Sequence, residues 1–155
     1  MGIFRGQGAT EYLVLLAVVL IVALVSVALL GFFPGMASDA RITQSQAYWR
    51  GQAKPFAILE ASLSGANGTL SVQNMEATGP YTITAMGIGT VANFTTASNL
   101  VFGAGEVKTI VMTGASIPTC TSGAVYDFNV TITYNTPNIN GVRQYGTKNL
   151  IGKCA

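Results

Sequence analysis

From Leu13 to Leu30 the chain runs for 18 residues without a charge, and Ser26 is the only polar one among them. Gly31, Phe32 and Phe33 extend the apolar stretch to 21 residues. As a helix rising ~1.5 Å per residue that is about 32 Å, against a bilayer core of roughly 30 Å. A secretory signal carries an apolar region of about 7–15 residues ahead of a small-residue cleavage site. This run is longer, and a polar segment containing Glu11 precedes it. It therefore reads as a retained membrane helix and not as a conventional signal peptide. Arg5 stands before it, and the positive-inside tendency puts the N-terminus in the cytoplasm and the chain beyond the helix outside the cell.

The rest of the composition agrees. Half of the 155 residues are hydrophobic, 9 % are charged, and there is no histidine. About a quarter charged is usual for a soluble domain. Disordered chains are charge-rich and poor in apolar residues, so the composition argues against disorder. Lys+Arg 8 against Asp+Glu 6 gives a formal +2, and no basic run exists to track a phosphate backbone, so nucleic acid is not a partner. A chain this apolar either sits partly in lipid or buries much of its surface against partners.

Pro34, within Gly31-Phe32-Phe33-Pro34-Gly35, cannot donate to the carbonyl of Leu30, which predicts that the helix ends or kinks there. Ser38-Asp39 reads as a fresh N-cap. Ile42, Ser45/Gln46 and Trp49 then give a short, mostly polar continuation from Asp39 to about Arg50, limited by Lys54-Pro55. The expectation is one long kinked helix, with a hydrophobic-helix domain over 7–53 and a headpiece over 54–155.

After Pro55 the period changes from helical to alternating. In Val125–Tyr134, Tyr126, Phe128, Val130, Ile132 and Tyr134 alternate with Asp127, Asn129, Thr131 and Thr133, the pattern of a half-buried antiparallel strand. Weaker strands fit Phe56–Leu63, Thr69–Met75, Tyr81–Met86, Thr90–Thr96, Val107–Thr113 and Gly141–Ile151, with Gly, Asn and Pro between them. Sixteen threonines after residue 36 suit pleated surfaces. The fold class predicted is α+β: a long N-terminal hydrophobic helix followed by an all-β, immunoglobulin-like sandwich headpiece.

Cys120 and Cys154 both fall in the exported part. Outside the cell the simplest state is a disulfide between them, tying the C-terminal strand to the sandwich; two free thiols, or a partner in another subunit, remain the alternatives. Three sequons occur, at Asn67, Asn93 and Asn129. Strand phase turns Phe94, Phe128 and Val130 inward and leaves Asn93 and Asn129 outward, where glycosylation is geometrically possible.

Nothing here reads as an enzyme. The commonest general base and metal ligand is missing with histidine. The six carboxylates, Glu11, Asp39, Glu60, Glu76, Glu106 and Asp127, are scattered, and the cysteines lack a CxxC spacing for zinc. Gly87-Ile88-Gly89 and Gly103-Ala104-Gly105 read as turns, with no following helix or Gly-Lys-Ser/Thr to hold phosphate. No catalytic residue, metal or cofactor is expected. Phe32, Phe33, Tyr48 and Trp49 read as packing or membrane-interface aromatics in preference to an electron-carrying stack.

The start of the chain carries the sharpest signal: Arg5-Gly6-Gln7-Gly8-Ala9-Thr10-Glu11-Tyr12, followed by the apolar run. Over residues 5–33 this resembles the archaeal type IV pilins with a class III signal peptide, which show a short basic leader, a Lys/Arg-Gly cut site, a first mature Gln, and Glu-Tyr at the fifth and sixth mature positions. Gly8 departs slightly from the small polar residue often found there. The resemblance implies a leader over 1–6, cleavage between Gly6 and Gln7 by a prepilin-type peptidase, and assembly through Gln7, Glu11 and Tyr12, with the new Gln7 amine as partner of Glu11. It implies a precursor in the cytoplasmic membrane and then a helical homopolymer, an extracellular adhesion pilus, built by a pilus assembly machinery. Elementary physics agrees: a bare apolar rod is not tolerated by water, and a helical polymer buries every copy by the same heterologous contact. The alternatives are a bitopic cell-surface binding protein whose helix stays in lipid, and, within the filament class, an archaellin or a minor pilin.

Overall fold

The computed structural model describes residues 7–113 and 117–155, with only the backbone of residues 7, 32–34 and 91–99. One helix, α1 (Gln7–Gly51), precedes the strands. These are β1 (Phe56–Ser64), β2 (Asn67–Asn74), β3 (Tyr81–Ile88), β4 (Val91–Phe102), β5 (Val107–Thr113), β6 (Val125–Phe128), β7 (Val130–Asn135), β8 (Val142–Tyr145) and β9 (Leu150–Lys153). The architecture is α+β, with antiparallel sheets throughout the described residues.

Ser38 and Asp39 lie inside α1 and cap no new helix, which corrects the expected restart there. Nor does the helix end at Pro34. That residue withdraws one donor, the one that would reach Leu30, and the turns on either side carry the helix through. At the C-terminal end the backbone N–H groups of Gln52 and Ala53 both donate to the Tyr48 carbonyl, at 2.9 and 3.0 Å. These close the last turn just before Lys54-Pro55.

The described strands form a three-stranded sheet in the order β1-β2-β5, a four-stranded sheet β4-β3-β7-β8, and the pair β6-β9. Two hairpins set the register. Ser64 pairs with Asn67 across Gly65-Ala66, and Ile88 with Val91 across Gly89-Thr90. Each turn needs a positive φ at its first residue, supplied by Gly65 (57°) and Gly89 (61°).

The single strand expected over Val125–Tyr134 is corrected to two. Chain pairing breaks at Asn129: β6 pairs with β9, and β7 pairs with β3 and β8. The alternation nonetheless runs through the break, with Tyr126, Val130, Ile132 and Tyr134 all buried. A strand that changes sheets without a bulge keeps its phase, so the sequence pattern cannot reveal the change. The expected strand Gly141–Ile151 likewise divides into β8 and β9.

By its contacts the chain divides into two compact units, one ending at Asp39 and one comprising Ala40–Ala155. In the second, one hydrophobic cluster draws on β1, β2, β3, β4, β5, β6, β7 and β9 together with Trp49 from the end of α1. Phe56 lies at its aromatic centre, edge-on to Phe102 and Tyr134 at 5.3 Å each. Its backbone is held by the buried Gln144 side chain, whose Oε1 accepts from Phe56 N (3.0 Å) and whose Nε2 donates to Phe56 O (2.8 Å).

Candidate functional site

The first unit presents apolar side chains around its whole circumference. Tyr12 is 65 % exposed, Leu24 70 % and Leu30 71 %, and the residues between are exposed as well. A helix hydrophobic on every side needs a lipid or protein environment to cover it. The one hydroxyl within Leu13–Leu30 makes no demand on that environment, because Ser26 Oγ donates to the Val22 carbonyl of the preceding turn at 2.7 Å. The segment is long and apolar enough to cross a membrane.

At its start, Glu11 is the fifth residue of α1, one turn in from the end, and is exposed beside Tyr12. The positive end of the helix macrodipole lies on that side. Gly6 and the side chain of Gln7 lie outside the described residues, and so does the expected contact of Glu11 with the amine that cleavage would free at Gln7.

The last turns of α1, Ala40–Gly51, belong to the second unit and are fastened there by several side chains. Ser45, buried, donates to Asn149 O at 2.7 Å and accepts from Ile151 N at 2.9 Å. Trp49 is 1 % exposed, and Tyr48 meets it edge-on at 5.3 Å while accepting from Thr147 N at 3.1 Å. Arg41 pairs with Asp127, which also accepts from Asn149 Nδ2 at 2.7 Å. Arg50 Nε donates to Leu59 O at 2.7 Å. Tyr48 and Trp49 thus act as packing residues; the side chains of Phe32 and Phe33 lie outside the description. Sequence reasoning placed Ser45 and Trp49 on one stripe but missed that Ser45 bonds both Ile151 of β9 and Asn149 in the loop ahead of that strand. The signal was a small hydroxyl in an otherwise apolar helical stripe.

Cys120 and Cys154 form a disulfide. Backbone bonds brace both ends, Cys120 N to Gly65 O (3.0 Å) and Cys154 N to Ala124 O (2.9 Å). Of the sequon asparagines, Asn67 and Asn129 are exposed; the side chain of Asn93 lies outside the described residues.

Two environments shift titrations. The Gly103 N–H, bonded to Glu106 Oε2 at 2.6 Å, and then the ammonium of Lys108 hold the Glu106 carboxyl below its ordinary range. Burial raises the phenols of Tyr126 and Tyr134. Neither environment lies beside the apolar segment in sequence, and among the described residues no cluster of three or more Cys, Asp or Glu is placed to hold a metal.

Comparison of the sequence with protein-family models and with curated proteins returns no match. What the arrangement offers is surface: an uncovered apolar helix, a disulfide-braced β headpiece, and turns of helix locked into that headpiece.

Proposed function

We propose that this chain is a structural subunit of an extracellular filament, an archaeal type IV adhesion pilus, that polymerises through its N-terminal helix after removal of residues 1–6. The observation that carries this reading is the exposed apolar surface of Leu13–Leu30, with its only hydroxyl satisfied internally. Packed against copies of itself, such a surface is removed from water at roughly 25 cal/mol per Å². The sequence around Arg5-Gly6-Gln7 and Glu11-Tyr12 adds the processing site and the assembly pair. Before assembly the same helix holds the precursor in the cytoplasmic membrane. The headpiece is read as an immunoglobulin-like sandwich, supported by the single core shared between the three- and four-stranded sheets.

Intact mass and N-terminal sequencing of the protein in fibres sheared from cells test this directly. A chain beginning at Gln7 and recovered in fibres is expected, with excess mass if the sequons carry glycans. A chain beginning at Met1 and released only by detergent would overturn the reading in favour of a membrane-anchored surface protein.

A further inference from the structure

We propose that β5 is a docking edge for a second copy of this chain, the two β5 strands pairing antiparallel about Ile110. This inference stands on the headpiece alone and does not need the filament reading.

Strand β5 is the outer member of the sheet β1-β2-β5 and is bonded along one side only, from Gln73↔Val107 to Asn67↔Thr113. Among the described residues no hydrogen bond from another element reaches its other side. An open edge is a template for strand addition, and folded proteins ordinarily blunt it with bulges, charges, short strands or a covering element. The other edges of this headpiece are treated in that way. Strand β1 carries a bulge around Leu59, and its Leu59 and Leu63 carbonyls accept from Arg50 and from the backbone of Ala155. On β4, the Val101 carbonyl accepts from Lys108. Strands β6, β8 and β9 have four residues each.

Apart from one lysine, strand β5 has none of these devices. It is seven residues long, Val107-Lys108-Thr109-Ile110-Val111-Met112-Thr113, without proline or bulge. Ile110 and Met112 face the core. Val107 (47 % exposed) and Val111 (67 % exposed) face outward with Thr109 and Thr113, an unbroken β-branched row. The one charge, Lys108, is engaged by Glu106 at 3.2 Å.

The sequence of the strand selects a second copy as its occupant. Antiparallel pairing about Ile110 sets Val107 opposite Thr113 and Thr109 opposite Val111 of the other copy, all favourable β-branched cross-strand pairs. Lys108 then faces Met112, so the two lysines are not opposed. Parallel in-register pairing would set Lys108 against Lys108, a like-charge pair that costs stability. The antiparallel contact is isologous, closes on itself, and continues the three-stranded sheet into its twin. A single strand edge is a small interface, so one pair binds weakly and reversibly.

Register-specific crosslinking of the full chain in detergent micelles tests the proposal, since the native cysteines are already joined in a disulfide. Thr109→Cys and Val111→Cys are separate, surface-exposed variants. Mixed together under mild oxidation they should give a covalent dimer, and several-fold more of it than either variant alone. Val111→Lys should raise the dimer dissociation constant by about tenfold or more, whereas Val111→Thr, which keeps the branched row, should leave it near the starting value. Equal crosslinking of Thr109→Cys with itself, or no crosslink in the mixture at high protein concentration, would overturn the proposal. Association through the apolar helix is insensitive to Val111→Lys, which separates that contact from this one.

Discussion

The indole of Trp49 fills the space that Gly146 leaves by having no side chain. A Cβ built at Gly146 would run into Trp49 Cζ2 and Cη2 and sit 3.0 Å from the Lys148 carbonyl. Gly146 N in turn donates to Val130 O at 3.0 Å, so the backbone there cannot back away without giving up a bond. The close approach joins the end of α1 to the chain between β8 and β9. Gly146→Ala should therefore destabilise the protein by about 1–3 kcal/mol through overpacking, and Trp49→Ala by about 3–5 kcal/mol through the cavity it leaves. In the double variant the alanine methyl occupies part of that cavity, so the losses should fall short of additive. Denaturant unfolding of the four proteins measures the coupling, and strict additivity would show that the two residues do not share the space.

Reduction should weaken the headpiece measurably. The Cys120–Cys154 bridge spans 34 residues of sequence. Loop-closure entropy for that span makes Cys120→Ser/Cys154→Ser less stable by about 3–4 kcal/mol. Thermal unfolding with and without reductant checks this, and the double variant should lose its response to reductant.

Acid should loosen the turn before β5. Glu106 titrates below its ordinary 4.5 in the folded chain, so its contribution is fully present above that pH and is lost as pH falls through the lowered folded value. Glu106→Gln should remove this component of the acid dependence and leave the profile above pH 4.5 parallel to that of the parent. Unfolding midpoints across the acid range would read it, and identical acid slopes in the two proteins would sink the assignment.

A charge in the middle of the apolar segment should weaken its affinity for lipid. Ile21 lies near the centre of Leu13–Leu30 and is 60 % exposed. Ile21→Asp costs about 3 kcal/mol on the insertion scale for a central position, whereas Ile21→Leu is close to neutral. The share of protein left in membranes after alkaline extraction should drop for the aspartate variant alone.

How much of this was legible beforehand depends on what each pattern encodes. Alternation reports which face is buried, and it placed Tyr126, Val130, Ile132 and Tyr134 correctly in the core. It carries no information about the hydrogen-bonding neighbour, which is why the passage from β6 to β7 at Asn129 and the division of β8 from β9 were invisible. Helical spacing put Ser45 and Trp49 on the buried stripe of α1. Local rules failed at Ser38-Asp39, where residues that often start helices are carried inside a long one, while the expected single long helix does run through Pro34. At the candidate site, Leu13–Leu30 was plain from composition alone. The bonds of Ser45 to Asn149 and Ile151 were not, because they join residues about a hundred positions apart.

The inward-turned hydroxyl of Ser26 has one further consequence. A helix that makes no directional bond to its surroundings has none to break when those surroundings change. In the proposed assembly, passage of Leu13–Leu30 from hydrocarbon tails to protein side chains exchanges one set of dispersion contacts for another at constant hydrogen bonding. Movement between the two media is then governed by how closely the new neighbours fit, and it is as reversible as that fit is loose.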